Sequence, residues 1–227
     1  MSTRTIRWSC LAALLLAFLG CGDASDPSGD ATQSVALQNT DHPAANQYAT
    51  QCLSCHGGDG LGQEALGAPA LTTLDPTYVA RQLRHFRDGV RGAHPKDTAG
   101  SIMAAASANL DNPAIEALAN YVDSLPNALP ATTLSGDLAQ GKDYHLHLCS
   151  ACHGSNGLGN AALEAPALTG LNDWYLMAQY EKFREGIRGA HPDDRWGVQM
   201  VRLAPAISDT DILESITAYL ATQPPSD

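Results

Sequence analysis

The sequence has few aromatic residues and few cationic residues. Both shortages limit the classes of protein to which it can belong. Aromatic residues make up only 6% of its 227 residues. Small domains with so little aromatic side-chain volume are marginally stable unless something supplements the core. Lysine and arginine total 13 against 24 acidic residues, a formal net charge of −11. A surface this acidic argues against nucleic acid as a partner and suits a basic protein.

No apolar run is long enough to cross a membrane as a helix. The run over residues 11–19 has nine residues, whereas a spanning helix needs about 20. A start that carries two arginines precedes it, and Gly20 and Cys21 follow. This pattern predicts an export signal over residues 1–20 and a periplasmic protein. The alternative is a short N-terminal anchor that stays uncleaved.

The junction Gly20-Cys21 resembles the cleavage site of bacterial lipoproteins, in which the cysteine becomes the lipidated N-terminus. The match is imperfect, because Phe18-Leu19 stands where a leucine followed by a small residue is usual. Residues 21–41 are rich in Ser, Asp, Thr and Gly and predict a flexible tether. The sequence therefore predicts a lipid anchor at Cys21, with plain cleavage and release as the alternative.

The rest of the sequence repeats itself. A shift of 97 positions lays His56 on His153 and Ala68-Pro69-Ala70-Leu71-Thr72 on an identical run that begins at Ala165. Internal repetition over this length indicates a duplicated domain. The predicted division is a first domain over residues 42–126, a linker over residues 127–135 and a second domain over residues 136–227.

Both halves predict an all-α fold, with about three to four helices around one cofactor in each. Asp75 followed by Pro76 is a helix start with an N-cap and a proline at the first helical position. No segment alternates as a strand does. In the first half, helices are predicted from about Pro43 into Cys52, from about residue 75 to 87, and from Asn112 onward. In the second half, they are predicted from Asp137 into Cys149, from residue 172 to 185, and from a capping box at Ser208 onward.

Each half carries the motif C-x-x-C-H, the pattern of covalent haem attachment. Two thiols three residues apart on a helical turn can add to the two vinyl groups at one porphyrin edge, and the adjacent histidine then faces the iron. The sequence therefore predicts two haem c groups. The attachment and iron-binding residues are Cys52, Cys55 and His56, and Cys149, Cys152 and His153.

Other uses of paired cysteines explain less. A thioredoxin-like dithiol needs a strand–helix context and no histidine, and structural zinc or disulfides are also chemically possible. None of these explains why a histidine follows both pairs.

The second axial ligand of each iron is predicted to be a methionine. Met103 and Met200 occupy equivalent repeat positions, each 47 residues after its histidine. Methionine also fills cores, and the repeated His94 and His191 are the competing ligands. The distinction matters because His/Met ligation raises the reduction potential.

Other repeated residues suit the surroundings of a haem. A carbonyl near Pro69 or Pro166 can accept the second N–H of the histidine ring and fix its orientation. Leu71 and Leu168 would then pack on the porphyrin. Four arginines are candidates to pair with haem propionates: Arg87, Arg91, Arg184 and Arg188. Four histidines without a repeated histidine partner are expected at the surface: His42, His85, His145 and His147.

Together the C-x-x-C-H-G, Ala-Pro-Ala-Leu and Phe-Arg-x-Gly-x-Arg-Gly segments and the downstream methionines resemble the class I cytochromes c. Their pairing resembles bacterial two-haem cytochromes of the c-four type. The resemblance implies electron transfer in the periplasm, with a histidine and a methionine on each iron and a proline carbonyl accepting from the histidine. It also implies basic or membrane-bound redox partners: a quinol-oxidising complex and a terminal oxidase or reductase.

The sequence thus favours a two-haem electron carrier without substrate chemistry of its own. The alternative is a haem enzyme, or the electron-entry subunit of one, of the peroxidase or sulfur-compound dehydrogenase type. An enzyme needs an open position at one iron, whereas this sequence offers a methionine for both.

Overall fold

A computed structural model describes residues 36–225. The predicted signal peptide, Cys21 and most of the predicted tether lie outside these residues. Within them the regular structure is helical and no strand forms, which confirms the all-α prediction. None of the helices over this part of the chain is long and apolar enough to cross a membrane.

The first half is built from five helices and one 3₁₀ turn. Its elements are α1 (Ala45–Gln51), α2 (Leu53–His56), the 3₁₀ turn Glu64–Leu66, α3 (Pro76–Arg87), α4 (Thr98–Ser107) and α5 (Asn112–Asp123).

The second half repeats this order with small changes. Its elements are α6 (Leu138–Tyr144), a π-helical turn (His145–Cys149), α7 (Ser150–His153), the 3₁₀ turn Ala161–Leu163, α8 (Asp173–Arg184), α9 (Gly197–Leu203), the 3₁₀ turn Ala204–Ala206 and α10 (Thr210–Ala221).

The starts of the long helices follow their sequence signals. The Asp75 carboxylate accepts the backbone N–H groups of Thr77 and Tyr78 at the start of α3, as an N-cap does. The predicted capping box at Ser208 is wrong by one residue, because the cap of α10 is Asp209, which accepts from Asp211 N–H.

The last helix of each half packs into the core of that half, in the first half together with α1. In the first half Tyr48, Ile115 and Tyr121 are fully buried, and the rings of the two tyrosines are 4.7 Å apart. In the second half Ile216 and Leu220 of α10 form the corresponding cluster. These helices lie behind the cysteine motifs and hold the histidine-bearing turns in place.

The residues just before the predicted first domain and those at the start of the linker both contact the first half. Leu37 packs against the first core, and the Tyr121 hydroxyl donates to the carbonyl of Gln38. Packing of the first half therefore begins before residue 42, the predicted start of the domain. Thr72 Oγ1 donates to the carbonyl of Ala128, which fixes the start of the linker to the first half.

Candidate functional site

The first C-x-x-C-H motif lies on a single helical turn. Cys52 precedes α2, and Cys55 and His56 end it. This turn brings both thiols and the imidazole together, with His56 buried and the thiols half-buried. Cys149, Cys152 and His153 repeat the arrangement on α7, except that Cys152 is exposed.

Each motif histidine donates a hydrogen bond to the proline that the sequence singled out. The distance from His56 Nδ1 to the Pro69 carbonyl is 2.9 Å, and from His153 Nδ1 to the Pro166 carbonyl 2.8 Å. Because a carbonyl only accepts, Nδ1 carries the proton and Nε2 keeps its lone pair. Burial lowers the pKa of both histidines against the effect of these hydrogen bonds. The rings are therefore neutral, as iron binding requires.

The first cysteine of each motif does not have the acidity of a reactive dithiol. Burial, with a smaller effect from the neighbouring cysteine, raises the pKa of Cys52 to about 12 and that of Cys149 to about 11. A reactive dithiol needs a thiolate at neutral pH. The four thiols of the described chain are unpaired, and no group of three or more His, Cys, Asp or Glu in residues 36–225 is placed to hold a metal ion.

A cavity lies beside each histidine. The second-half cavity measures about 560 Å³ and the first-half cavity about 180 Å³. The larger one is lined by both cysteines of its motif and by all four other predicted site residues of that half: Cys149, Cys152, His153, Pro166, Leu168 and Met200. The smaller one is lined by His56, Pro69, Leu71 and Met103, without the two cysteines.

The structure places the methionines, and not the competing histidines, at the cavities. Met103 lies on α4 and Met200 on α9, and each is half-buried and lines the same cavity as its histidine. His94 and His191 lie outside both linings. Their Nδ1 atoms accept backbone N–H groups two residues further on, each at 3.2 Å, which ties them into their own loops.

Two of the four candidate arginines reach the cavities and two do not. Arg91 and Arg188 are buried and line the first and second cavity respectively. Each guanidinium lies over a phenylalanine ring, at 4.5 and 4.6 Å from the centroid. Arg87 and Arg184 instead donate to the carbonyls of Leu110 and Ile207, in the loops before the last helices.

The buried arginines also join the two halves, through a set of contacts that sequence reasoning missed. We call this set the interface cluster, and it consists of Tyr78, Gln82 and Arg91 with their repeat equivalents Tyr175, Gln179 and Arg188. Arg91 donates to the hydroxyl of Tyr175 and the amide oxygen of Gln179, both at 3.0 Å. In the reciprocal contact Arg188 donates to Tyr78 at 2.9 Å and Gln82 at 3.2 Å. The available signal was that all three residue types recur at the 97-residue shift.

The donors around each cavity fit an iron porphyrin. The walls are mostly apolar and supply a neutral imidazole and a thioether sulfur, and two thiols of the same motif lie nearby. The Nε atoms of Arg91 and Arg188 are buried without a hydrogen-bond partner among the residues described. A buried, unsatisfied guanidinium N–H suits an anion, and haem brings two carboxylates.

Three of the histidines expected at the surface are wholly or partly buried. His145 is fully buried and donates from Nε2 to the Gly154 carbonyl, so that prediction is wrong. The His85 side chain is only 12% exposed and lies at the interface between the halves, while His42 is half-buried against Tyr121. Only His147 is exposed as expected.

The fold, the two motif turns and the histidine–proline contacts define a c-type cytochrome with two haem domains. The model of the family described as "Cytochrome c" matches residues 43–126 and again 138–224. The chain belongs to the cytochrome c family. Two such domains carry two covalently bound c-type haems, which confirms the cofactor prediction.

The relatives agree with a two-haem carrier. Over 187 residues the chain is 32% identical to the "Thiosulfate dehydrogenase electron acceptor" of Stutzerimonas stutzeri, covering 78% of this chain and 81% of that protein. The solved structure of Acidithiobacillus ferrooxidans cytochrome c4 matches with a TM-score of 0.64 at 25% identity, over 77% of this chain and 99% of that one.

A third match is to a larger protein. The thiosulfate dehydrogenase (TsdBA) of Marichromatium purpuratum aligns with a TM-score of 0.61 at 31% identity, over 76% of this chain. This chain spans only 36% of that one. Taken together, the relatives confirm the prediction of a c4-like, two-haem electron carrier.

Proposed function

We propose that the protein accepts electrons from a dehydrogenase that oxidises thiosulfate and passes them to a respiratory partner. The similarity to a thiosulfate dehydrogenase electron acceptor supports the donor. Oxidative coupling of two thiosulfate ions releases two electrons, and a carrier with two one-electron haems takes both. The second partner is a terminal oxidase or reductase.

The observation that carries this proposal is the pairing of a histidine with a methionine across each cavity. His56 and Met103 line one cavity, and His153 and Met200 line the other. Bound haem supplies the chemistry, one electron gained and lost at each iron. A haem iron held by this histidine and this methionine would have no open site for a substrate, which supports a carrier over a haem enzyme.

The chain's own groups set the properties of these sites. The Pro69 and Pro166 carbonyls orient the imidazoles, and Leu71 and Leu168 shield them from water. Arg91 and Arg188, buried at the interface between the halves, would hold the propionates of a bound haem. Thioether bonds at Cys52, Cys55, Cys149 and Cys152 attach the two groups.

We place the protein in the periplasm, attached to the membrane through a lipid on Cys21. The export signal and the lipoprotein-like junction at Gly20-Cys21 support this location. Mass spectrometry of the mature N-terminus tests it, since a lipid adds a mass that plain cleavage does not.

Substitution of the methionines tests the ligation. Met103→Ala and Met200→Ala should each remove the weak long-wavelength absorption band of methionine-ligated ferric haem from one haem and lower that haem's potential. Met177→Leu is the matched control, because Met177 packs in the second core and lines neither cavity. If His94 and His191 were the ligands instead, the parent would lack this band, and neither alanine substitution would change the spectrum.

Reduction by a donor enzyme tests the function. The oxidised two-haem protein should be reduced at both haems by thiosulfate only when a thiosulfate dehydrogenase is also present. Oxidation of thiosulfate by the protein alone, or rapid turnover of peroxide, would instead identify it as an enzyme.

A further inference from the structure

A buried aspartate precedes the methionine helix of each half. Asp97 is 2% exposed and Asp194 6% exposed, and each lies six residues before its methionine. Asp97 accepts the N–H of Gly100 at 3.0 Å, and Asp194 that of Gly197 at 2.8 Å. Each carboxylate therefore holds the first turn of the helix that presents the methionine.

Each aspartate is met by a side chain from the other half, and the two side chains differ. Lys182 Nζ lies 2.6 Å from Asp97 Oδ1. At the repeat-equivalent position His85 Nδ1 lies 4.0 Å from Asp194 Oδ1. This nitrogen has no hydrogen-bond partner within residues 36–225. One contact thus contains a permanent cation and the other a group that titrates near neutral pH.

The charges around His85 keep it neutral at pH 7. Burial lowers its pKa, the Asp194 carboxylate opposes this, and three cations add to the lowering: Arg81, Arg91 and Arg188. Asp88, at the end of the same helix, is the other acidic group that faces it. Because its pKa lies below the ordinary value for histidine, about 6.5, His85 takes up a proton only in more acidic solution, where it becomes a cation beside Asp194.

We propose that Lys182 and His85 are positioning residues that act across the interface on the aspartate at the start of the opposite half's methionine helix, Lys182 as a permanent ion pair and His85 only when it is protonated. The inference rests on the proposed methionine ligation. Asp97 and Met103 line the same cavity, as do Asp194 and Met200, so a change of charge at the aspartate reaches the haem. A cation near an iron favours the ferrous state. The potential of the second haem therefore rises on acidification, and that of the first rises less.

The test is a redox titration of both haems in the two-haem protein at about pH 7.5 and about pH 5. In the parent, one of the two midpoint potentials shifts upward more than the other on acidification. Met200→Ala identifies the second haem. His85→Gln, which stays neutral, should lose the extra shift, and His85→Lys should raise this potential at both pH values.

The repeat supplies a gain-of-function test. Lys182→His copies the second-half contact into the first half and should give the first haem a pH-dependent potential. Lys182→Arg keeps the cation and should behave as the parent does, which also shows that the position tolerates change. The methionine absorption band, followed over the same pH range, reports the ligand geometry independently of the potential.

The inference is wrong if His85→Gln keeps the parent's pH response, or if Lys182→His leaves the first haem unresponsive. Failure of the proposed ligation looks different, because the methionine band would then be absent from the parent or undiminished in both alanine variants.

Discussion

The contact between His56 and Pro69 depends on a glycine. Gly62 has φ of +77° and donates its N–H to the His56 carbonyl at 2.9 Å. A Cβ at this position would lie 2.3 Å from the Ala68 carbonyl oxygen and 2.5 Å from the Pro69 carbonyl carbon. The loop can therefore pass beneath the imidazole only because residue 62 has no side chain.

Gly62→Ala should destabilise the protein by about 2 to 5 kcal/mol, since a left-handed conformation costs about 1 to 2 kcal/mol and overpacking about 1 to 3 kcal/mol. Denaturant unfolding of the two-haem protein measures this loss. Gly89→Ala is the control, because Gly89 has φ of +73° but nothing within 4 Å of its Cβ position. It should lose about 1 to 2 kcal/mol of stability, through backbone strain alone. Equal losses in the two variants would contradict the close contact.

Sequence predicted some single residues and missed others for a definable reason. The proline carbonyls could be predicted, because the chemistry of a ligating histidine demands an acceptor and only a few residues repeat at the right place. The burial of His145 could not be predicted in this way, because no histidine stands at its equivalent position in the repeat. Its repeat equivalent is Tyr48, whose hydroxyl donates to the Gly57 carbonyl, and His145 makes the same bond from Nε2.

Helix α8 begins with a residue that also holds the linker. The carboxylate of Asp173 is 1% exposed and accepts the N–H groups of Thr133 and Leu134, each at 2.7 Å, the Thr133 hydroxyl at 2.8 Å and the N–H of Trp174. Burial opposes ionisation of this carboxyl, but the hydrogen bonds from Leu134 and Thr133 outweigh it and lower its pKa.

Asp173→Asn should destabilise the protein by about 1 to 3 kcal/mol at neutral pH, because the amide NH₂ faces donors and leaves them unsatisfied. Since the folded pKa lies below the unfolded value, the carboxylate's contribution is full above about pH 3.9 and is lost as the pH falls through the folded pKa. The difference between parent and variant should therefore shrink in acid. Unfolding at about pH 7 and about pH 3 measures it. The exposed Asp123→Asn is the control, and an equal loss there would rule out this role.

The long helices were predictable and the methionine helices were not. Asp75-Pro76 and the apolar stripe of α5 are strong local signals, and α3, α5, α8 and α10 lie within a few residues of their predicted bounds. α4 is rich in alanine and lacks a periodic apolar face. Its position follows from contacts with α3, and only its methionine was found from the repeat.

The two halves meet closely enough that a side chain is excluded at one point. Thr73 donates from Oγ1 to the Thr169 carbonyl of the other half. Its repeat equivalent is Gly170, with φ of +73°, where a Cβ would lie 2.3 Å from Thr73 Cγ2. Equivalent positions thus face each other, and only one of them can carry a side chain.

Gly170→Thr, which restores the repeat, should force the halves apart. We expect unfolding to split into two transitions and the linker to become more sensitive to protease. Gly186→Thr is the control for strain, since Gly186 has φ of +69° and open space around its Cβ position. It should lower stability by about 1 to 2 kcal/mol within one transition. A single transition in Gly170→Thr would show that the interface tolerates the side chain.

The sequence revealed that the domain is duplicated, but not how the copies are arranged. The fold of one half follows from its own helix signals, whereas the contact between halves depends on which faces meet. The reciprocity of the interface cluster emerges only when the structure brings Arg91 to Gln179 and Arg188 to Gln82.

A contact in which each patch meets its own counterpart is one that two identical chains can also form. Self-complementary pairing closes after two copies, whereas head-to-tail pairing continues into rings or filaments. The interface cluster therefore has the self-complementary pattern of a symmetric dimer, formed here by two halves of one chain. Two differences between the halves could not occur between identical subunits. Thr73 faces Gly170, and Lys182 stands where the other half has His85.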